Sequence, residues 1–252
     1  MATYLIQYNE VGGATFSYKR YTGFSGTVNS SFALSQDMGG ACWDGTNAIW
    51  GAGTVGASAS IKKGTGFSSS IQASFAAPSA ADRIYDLHSD ESDNIYVAEN
   101  TTKLWRMTGF SSTVSASFTK ASASFRGVSF DGTDAYAYDA TTSHYIRFTG
   151  FTSSISSSYS GTPDGGRGVA WSTTDSAMLG SNGPKAVKFV GFSSSVSSSI
   201  SITANSLGIF WDAGAAAGPV NWKTYNTVTV ATNLKTLNTN TLANIKSYDT
   251  IV

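Results

Sequence analysis

Apolar and polar residues alternate along most of this chain in bursts one strand long, separated by turn residues. Four such bursts follow one another between residues 126 and 159. Arg126-Gly127-Val128-Ser129-Phe130 (segment A) runs into the turn Asp131-Gly132-Thr133-Asp134, then into Ala135-Tyr136-Ala137-Tyr138-Asp139 (segment B). His144-Tyr145-Ile146-Arg147-Phe148-Thr149 (segment C) and Ser154-Ile155-Ser156-Ser157-Ser158-Tyr159 (segment D) complete the set. All four are rich in aromatic or β-branched residues, or alternate small residues with them, which suits a pleated surface. Asp-Gly between two such runs is a hairpin signal, and Asp44-Gly45 repeats it.

The set recurs. A Gly-Phe pair between C and D falls at Gly23-Phe24, Gly66-Phe67, Gly109-Phe110, Gly150-Phe151 and Gly191-Phe192. A period of about 40–45 residues is that of one four-stranded propeller blade. The copies are offset from the chain ends. The chain starts on a B segment at 4–8 and reaches its last A segment at 207–211, with earlier A segments near 41–44, 83–87, 126–130 and 167–171. The expectation is an all-β, five-bladed propeller of four-stranded blades over 1–212, closed by pairing of the 207–211 strand with the N-terminal strands. Closure of this kind removes an open sheet edge.

Within segment D the pairs Val28/Phe32, Ile71/Phe75, Val114/Phe118, Ile155/Tyr159 and Val196/Ile200 share one strand face. The residues between them on that face are Ser30, Ala73, Ala116, Ser157 and Ser198, small enough for a neighbouring sheet to approach. The glycine of each Gly-Phe is expected to supply a positive-φ turn, and the phenylalanine to pack under the blade.

Beyond residue 212 the pattern changes. Residues 213–218, with Gly214 to Gly218, read as a linker. Residues 219–252 hold three shorter units, Trp222-Lys223-Thr224-Tyr225-Asn226, Leu234-Lys235-Thr236-Leu237-Asn238 and Ile245-Lys246-Ser247-Tyr248-Asp249. Three such units bury no core alone, so a tail that docks or oligomerises is expected.

Composition narrows the function classes. Charged residues are 13% of the chain and the formal net charge is +0, so no basic face for nucleic acid is expected. Aromatics at 13% argue against a disordered chain. There is no apolar run of about 18 residues to span a membrane, and Met1 to Tyr8 lacks the basic and apolar regions of a signal peptide. The single cysteine, Cys42, lies between Ala41 and Trp43 and reads as a small buried hydrophobe.

The most regular polar feature is a basic residue three positions before each Gly-Phe: Arg20, Lys63, Arg106, Arg147 and Lys188. Two readings stand. Their head groups bond to neighbouring carbonyls or carboxylates while the stems cover apolar surface, or they line five equivalent pockets for an anionic or hydroxyl-rich ligand. A second set, Arg83, Arg126 and Arg167, opens three A segments. These pair with acids such as Asp82, Asp86 or Asp164, or form an anion site at the channel mouth. Asp90-Glu91-Ser92-Asp93-Asn94 lacks the glycine and terminal glutamate of an EF-hand loop and aligns with A–B turns. His88 and His144 stand at non-equivalent positions, so no metal, cofactor or catalytic residue is expected. Asp82, Asp86, Glu99, Asp139 and Asp164 offer carboxylates, but nothing in the sequence selects two of them.

The aromatic and Gly-Phe-Ser-Ser repeats resemble small five-bladed propellers of the tachylectin type in blade count and length. The terminal units, such as Ala243-Asn244-Ile245-Lys246-Ser247-Tyr248, resemble short terminal repeats of phage virion and environmental surface proteins. That resemblance implies a non-enzymatic virion or extracellular surface protein. Its propeller would bind a receptor or host carbohydrate multivalently, and its tail would join other subunits of a homo-oligomer or larger assembly. Two alternatives stay open: a structural decoration protein without a ligand, and a glycan-cleaving enzyme.

Overall fold

The computed structural model describes residues 4–11, 15–34, 38–53, 59–78, 84–90, 94–99, 102–161, 168–202 and 206–212. The linker, the tail, Arg83 and Arg167 lie outside the described residues. No helix occurs among the described residues.

Five antiparallel sheets follow one another along the chain. Blade one is β1 (Tyr4–Val11), β2 (Thr15–Thr22) and β3 (Val28–Leu34). Blade two is β4 (Met38–Trp43), β5 (Ala48–Ala52), β6 (Ser60–Gly64) and β7 (Ile71–Ala76). Blade three is β8 (Asp86–Ser89), β9 (Ile95–Ala98), β10 (Lys103–Met107) and β11 (Val114–Thr119). Blade four is β12 (Phe125–Phe130), β13 (Ala135–Asp139), β14 (His144–Phe148) and β15 (Ile155–Ser160). Blade five is β16 (Val169–Ser172), β17 (Ala177–Asn182), β18 (Lys185–Phe189) and β19 (Val196–Ser201).

The last strand, β20 (Ser206–Asp212), lies along β1 and supplies the missing innermost strand of blade one. Ile209 packs with Leu5, and Phe210 shares a cluster with Ile6, Tyr8 and Phe16. The ring is therefore a five-bladed propeller of four-stranded blades, closed as the offset of the repeats predicts.

Burial grades from inside to outside. Every residue of β5, β9 and β13 is buried, whereas β15 and β19 are exposed apart from one half-buried residue each. This corrects the expectation for segment D. Val28, Ile71, Val114, Ile155 and Val196 are 47%, 54%, 41%, 50% and 53% exposed, while the second members of the pairs pack inward. The cause is a one-residue bulge inside each pair. The register runs Arg147↔Ser157 and then Phe148↔Ile155, skipping Ser156. Asn29, Gln72, Ser115 and Ser197 are skipped in the same way in the other blades. An extra residue breaks the two-residue alternation, so the apolar residue beyond it no longer shares the core face.

The C–D turn has the same construction in all five blades. Gly23, Gly66, Gly109, Gly150 and Gly191 have φ of 59, 63, 61, 62 and 59°, a region open to glycine at no steric cost. The hydroxyl two residues on donates back to a turn carbonyl, as in Ser68 Oγ to Thr65 O at 2.8 Å and Thr152 Oγ1 to Thr149 O at 2.7 Å. The phenylalanine reaches beyond its own blade, which Phe24 and Phe67 touch through Trp211 and Trp43. It leans on the outer strand of the preceding one: Phe67 on Phe32 at 5.0 Å, Phe110 on Phe75 at 4.8 Å, Phe151 on Phe118 at 5.0 Å and Phe192 on Tyr159 at 4.9 Å. Each is a wedge between blades, and such ring pairs add about 0.5–1.5 kcal/mol beyond the area they bury.

Candidate functional site

Each basic residue before Gly-Phe sits at the bulge of its C–D pair, on one rim of the ring. The residues beside them in the sequence, Tyr21, Met107, Phe148 and Phe189, point into the core. Three of the cations close onto the A–B turn of their own blade. Lys63 pairs with Asp44, Arg147 with Asp134 through Nε at 2.8 Å and a terminal nitrogen at 2.7 Å, and Lys188 with Asp175 at 2.7 Å. Arg20 donates to Asn29 Oδ1 at 3.0 Å and stacks over Tyr4, Trp43 and Phe67. Arg106 lies over Tyr96, 5.8 Å from its centroid.

The A–B turns explain why acids stand there. Asp44 Oδ1 accepts the N–H of Thr46 and Asn47, and Asp131 Oδ1 accepts those of Thr133 and Asp134. These are Asx turns, in which a side chain replaces a backbone turn bond. Burial works against charge on Asp44. The Lys63 ammonium and the N–H groups of Asn47 and Thr46 outweigh it and hold the carboxyl below its ordinary range. The last turn residue ties the two turns of a blade together: Asn47 Oδ1 accepts Gly66 N–H at 2.9 Å and Asp134 Oδ1 accepts Gly150 N–H at 2.8 Å. The motif Asx–basic–Gly-Phe is thus one hydrogen-bonded rim unit.

Two blade junctions add a tyrosine to this unit. Tyr96 donates its hydroxyl to Asp90 Oδ2 at 2.8 Å, and Tyr136 to Asp131 Oδ2 at 2.6 Å. Their rings stack across the junction on the next blade, Tyr96 on Phe130 at 4.8 Å and Tyr136 on Trp171 at 4.6 Å. Asp90 also accepts from Asn94, so both of its oxygens serve the turn. No cluster of metal-ligating side chains occurs among the described residues.

Of the inner set, only Arg126 lies among the described residues. Ser89 and Phe130 each pair with the first residue of strand B, so counting back along β8 puts Tyr85 at the level of Arg126. The Arg126 guanidinium lies 5.2 Å from the Tyr85 ring centroid. Segment A of blade three, expected at 83–87, forms the strand Asp86–Ser89, because the A–B turn there is one residue longer and Ser89 stands in place of the aromatic.

The centre of the propeller holds Asp86, which the sequence did not single out from the other acids. It is fully buried, and Oδ2 accepts the N–H of Val128 at 3.2 Å and of Val169 at 3.3 Å, on the innermost strands of blades four and five. A Cβ on Gly208 of β20 would lie 3.0 Å from Oδ1, and one on Gly40 of β4 would meet the Asp86 backbone. The carboxyl thus bonds to blades four and five and lies beside β20 of blade one, while β4 of blade two abuts the backbone of Asp86. Burial pushes it well above the usual carboxylate range. His88, on the same strand face, is held down at about 4 by burial, and its Nδ1 is 3.4 Å from Ser129 Oγ. Ser129 Oγ in turn accepts Trp171 N–H. The group is sealed and positions strands. Asp139 is engaged by Lys120, by the N–H of Ser124 and Thr141, and by Thr142.

No family model matches this chain, and no curated protein does. Among solved structures it is similar to glutaminyl cyclase of Myxococcus xanthus, with a TM-score of 0.52 at 11% identity over 66% of this chain and 77% of that one. It also matches BamB of Moraxella catarrhalis, with a TM-score of 0.41 at 12% identity over 66% of this chain, and spans about half (49%) of that chain. AztD of Citrobacter koseri matches with a TM-score of 0.41 at 10% identity, over 80% of this chain and 61% of that one. Likeness at this level is one of propeller fold.

Proposed function

We propose that this chain is a non-enzymatic surface protein, extracellular or on a virion, whose propeller grips a receptor or carbohydrate through repeated equal sites and whose 219–252 segment anchors or oligomerises it. The observation that carries the reading is the C–D turn, built alike in five blades with a serine or threonine hydroxyl at the surface and a basic residue three positions before its glycine. A ligand that is itself repetitive gains avidity from such a ring without any single strong contact. The tachylectin-type and phage-repeat resemblances point the same way. A glycan array probed with the full chain tests it: binding that rises steeply with glycan density supports the reading, and silence across the array removes the carbohydrate half.

A second reading, a decoration protein without a ligand, is favoured by the exposed residues Val28, Ile71, Val114, Ile155 and Val196. Apolar groups spaced around an outer rim suit a protein partner better than a sugar. A particle that forms in native amount with all five of these residues replaced by serine removes this second reading.

A further inference from the structure

The junction between blades two and three departs from those between blades three and four and between blades four and five. Where Tyr96 and Tyr136 stand opposite their basic residues, the register places Ile49 opposite Lys63. Where Trp43 and Phe130 end their A strands, blade three has Ser89. Both aromatic positions of the junction are thus lost together, while the acceptor that a junction tyrosine uses elsewhere, here Asp44, is kept. The result is a cleft of about 220 Å³ lined by Asp44, Ile49, Lys63, Ser89, Ile95 and Phe110, with Gly109 at its edge. Ser89 is 7% exposed, and its buried Oγ has no hydrogen-bond partner among the described residues. A buried hydroxyl left unpaired is costly, and an apolar cavity of about 150 Å³ already accepts a benzene ring.

We propose that this cleft takes a phenolic ring from outside the chain, with its hydroxyl on Asp44 and Ser89 and its face against Phe110, Ile49 and Ile95. The junctions of blades three and four and of blades four and five supply the template: a tyrosine ring stacked on the next blade, its hydroxyl on the first acid of the A–B turn and a cation nearby. Lys63, 5.6 Å from the Phe110 centroid, takes the place of that cation. Asp44 and Lys63 together leave the cleft without net charge, which favours an uncharged phenol over a carboxylate. The ligand chemistry is shared by a free phenol and by a tyrosyl side chain of a partner. It is separate from the glycan reading: a silent array leaves it standing, and an empty cleft leaves the rim sites standing.

The test is amide-resolved NMR of the full chain titrated with p-cresol, N-acetyltyrosine amide and N-acetylphenylalanine amide. The expected result is saturable shifts at the amides of Ser89 and Gly109, with the tyrosine amide binding about tenfold tighter than the phenylalanine amide. Binding by p-cresol but not by the tyrosine amide assigns the cleft to small free phenols; binding by both admits a partner's tyrosine. Ile49→Tyr with Ser89→Phe, which restores the neighbours' pair, should abolish the shifts. Should that double variant not fold, Asp44→Asn, which keeps the turn acceptor, should bring the two amides to equal affinity. Absence of saturable shifts with every phenol, undiminished binding in the filled variant, or equal affinity of the two amides for the unaltered chain overturns the proposal.

Discussion

Gly150→Ala isolates the conformational cost of the rim turn. The backbone there has a φ of 62°, and an added Cβ would meet nothing closer than Thr133 O at 3.9 Å. No clash contributes, so the loss is that of holding an L-residue in the left-handed region, about 1–2 kcal/mol. Lower entropy of the unfolded chain returns about 0.4–1 kcal/mol, which leaves a net loss of about 1 kcal/mol. Gly66 and Gly109 have equally open surroundings, φ of 63 and 61°, and lie in separate blades. Losses at independent sites add, so the triple variant Gly66→Ala, Gly109→Ala, Gly150→Ala should lose about 3 kcal/mol. The assay is the urea midpoint at constant slope. A triple variant unfolding at the midpoint of the unaltered chain would refute the argument that these glycines are required by φ. A single variant losing more than about 3 kcal/mol would show that space, not conformation, is what the position lacks.

Arg147→Met should cost about 1 kcal/mol, the range of a half-exposed ion pair, because Asp134 keeps Gly150 N–H while losing the guanidinium; a loss of ligand binding at unchanged Tm would contradict this structural role. Asp86 and His88 give stability an asymmetric pH profile. The folded chain keeps a proton on Asp86 that the unfolded chain releases above about pH 4, so that contribution falls as pH rises toward the raised folded value. His88 acts oppositely: the unfolded chain gains a proton below about pH 6.5 and the folded chain does so only near 4, so stability is lost as pH falls through that window. Asp86→Asn should therefore flatten the urea midpoint above pH 6.5 and steepen its decline below; an unchanged profile would remove Asp86 as the source. Deleting 219–252 should leave a folded monomeric propeller and abolish assembly, read by circular dichroism and size-exclusion chromatography; failure of the truncated chain to fold would show that the propeller needs the tail.

The ring was legible in the sequence because its signals are periodic. Gly-Phe marks every C–D turn, and the split of blade one between the two ends of the repeat region gives the closing strand. The bulge was not legible. Val28 and Phe32 keep a spacing that fits a single strand face, and only pairing to Arg20 and Tyr21 reveals the skipped Asn29. The span of segment A in blade three was not legible for a related reason: with Ser89 where other blades carry an aromatic, similarity of side chains does not fix the alignment there. Asp86 stood among five carboxylates with nothing to select it, because no other blade has an acid at its place. Repetition in the sequence marks the ring, while the buried Asp86 and the cleft at Ser89 arise where the repeat is broken.

The split of blade one has a cost in time. On a ribosome, β1 to β3 emerge early, and β1 then waits for a partner some four blades downstream. At roughly 5–20 residues per second, that interval lasts on the order of ten seconds or longer. Throughout it, the nascent chain carries an unpaired strand flank that any other nascent copy can satisfy equally well. Crowded polysomes are thus where interlocked, strand-exchanged dimers of this protein should first arise.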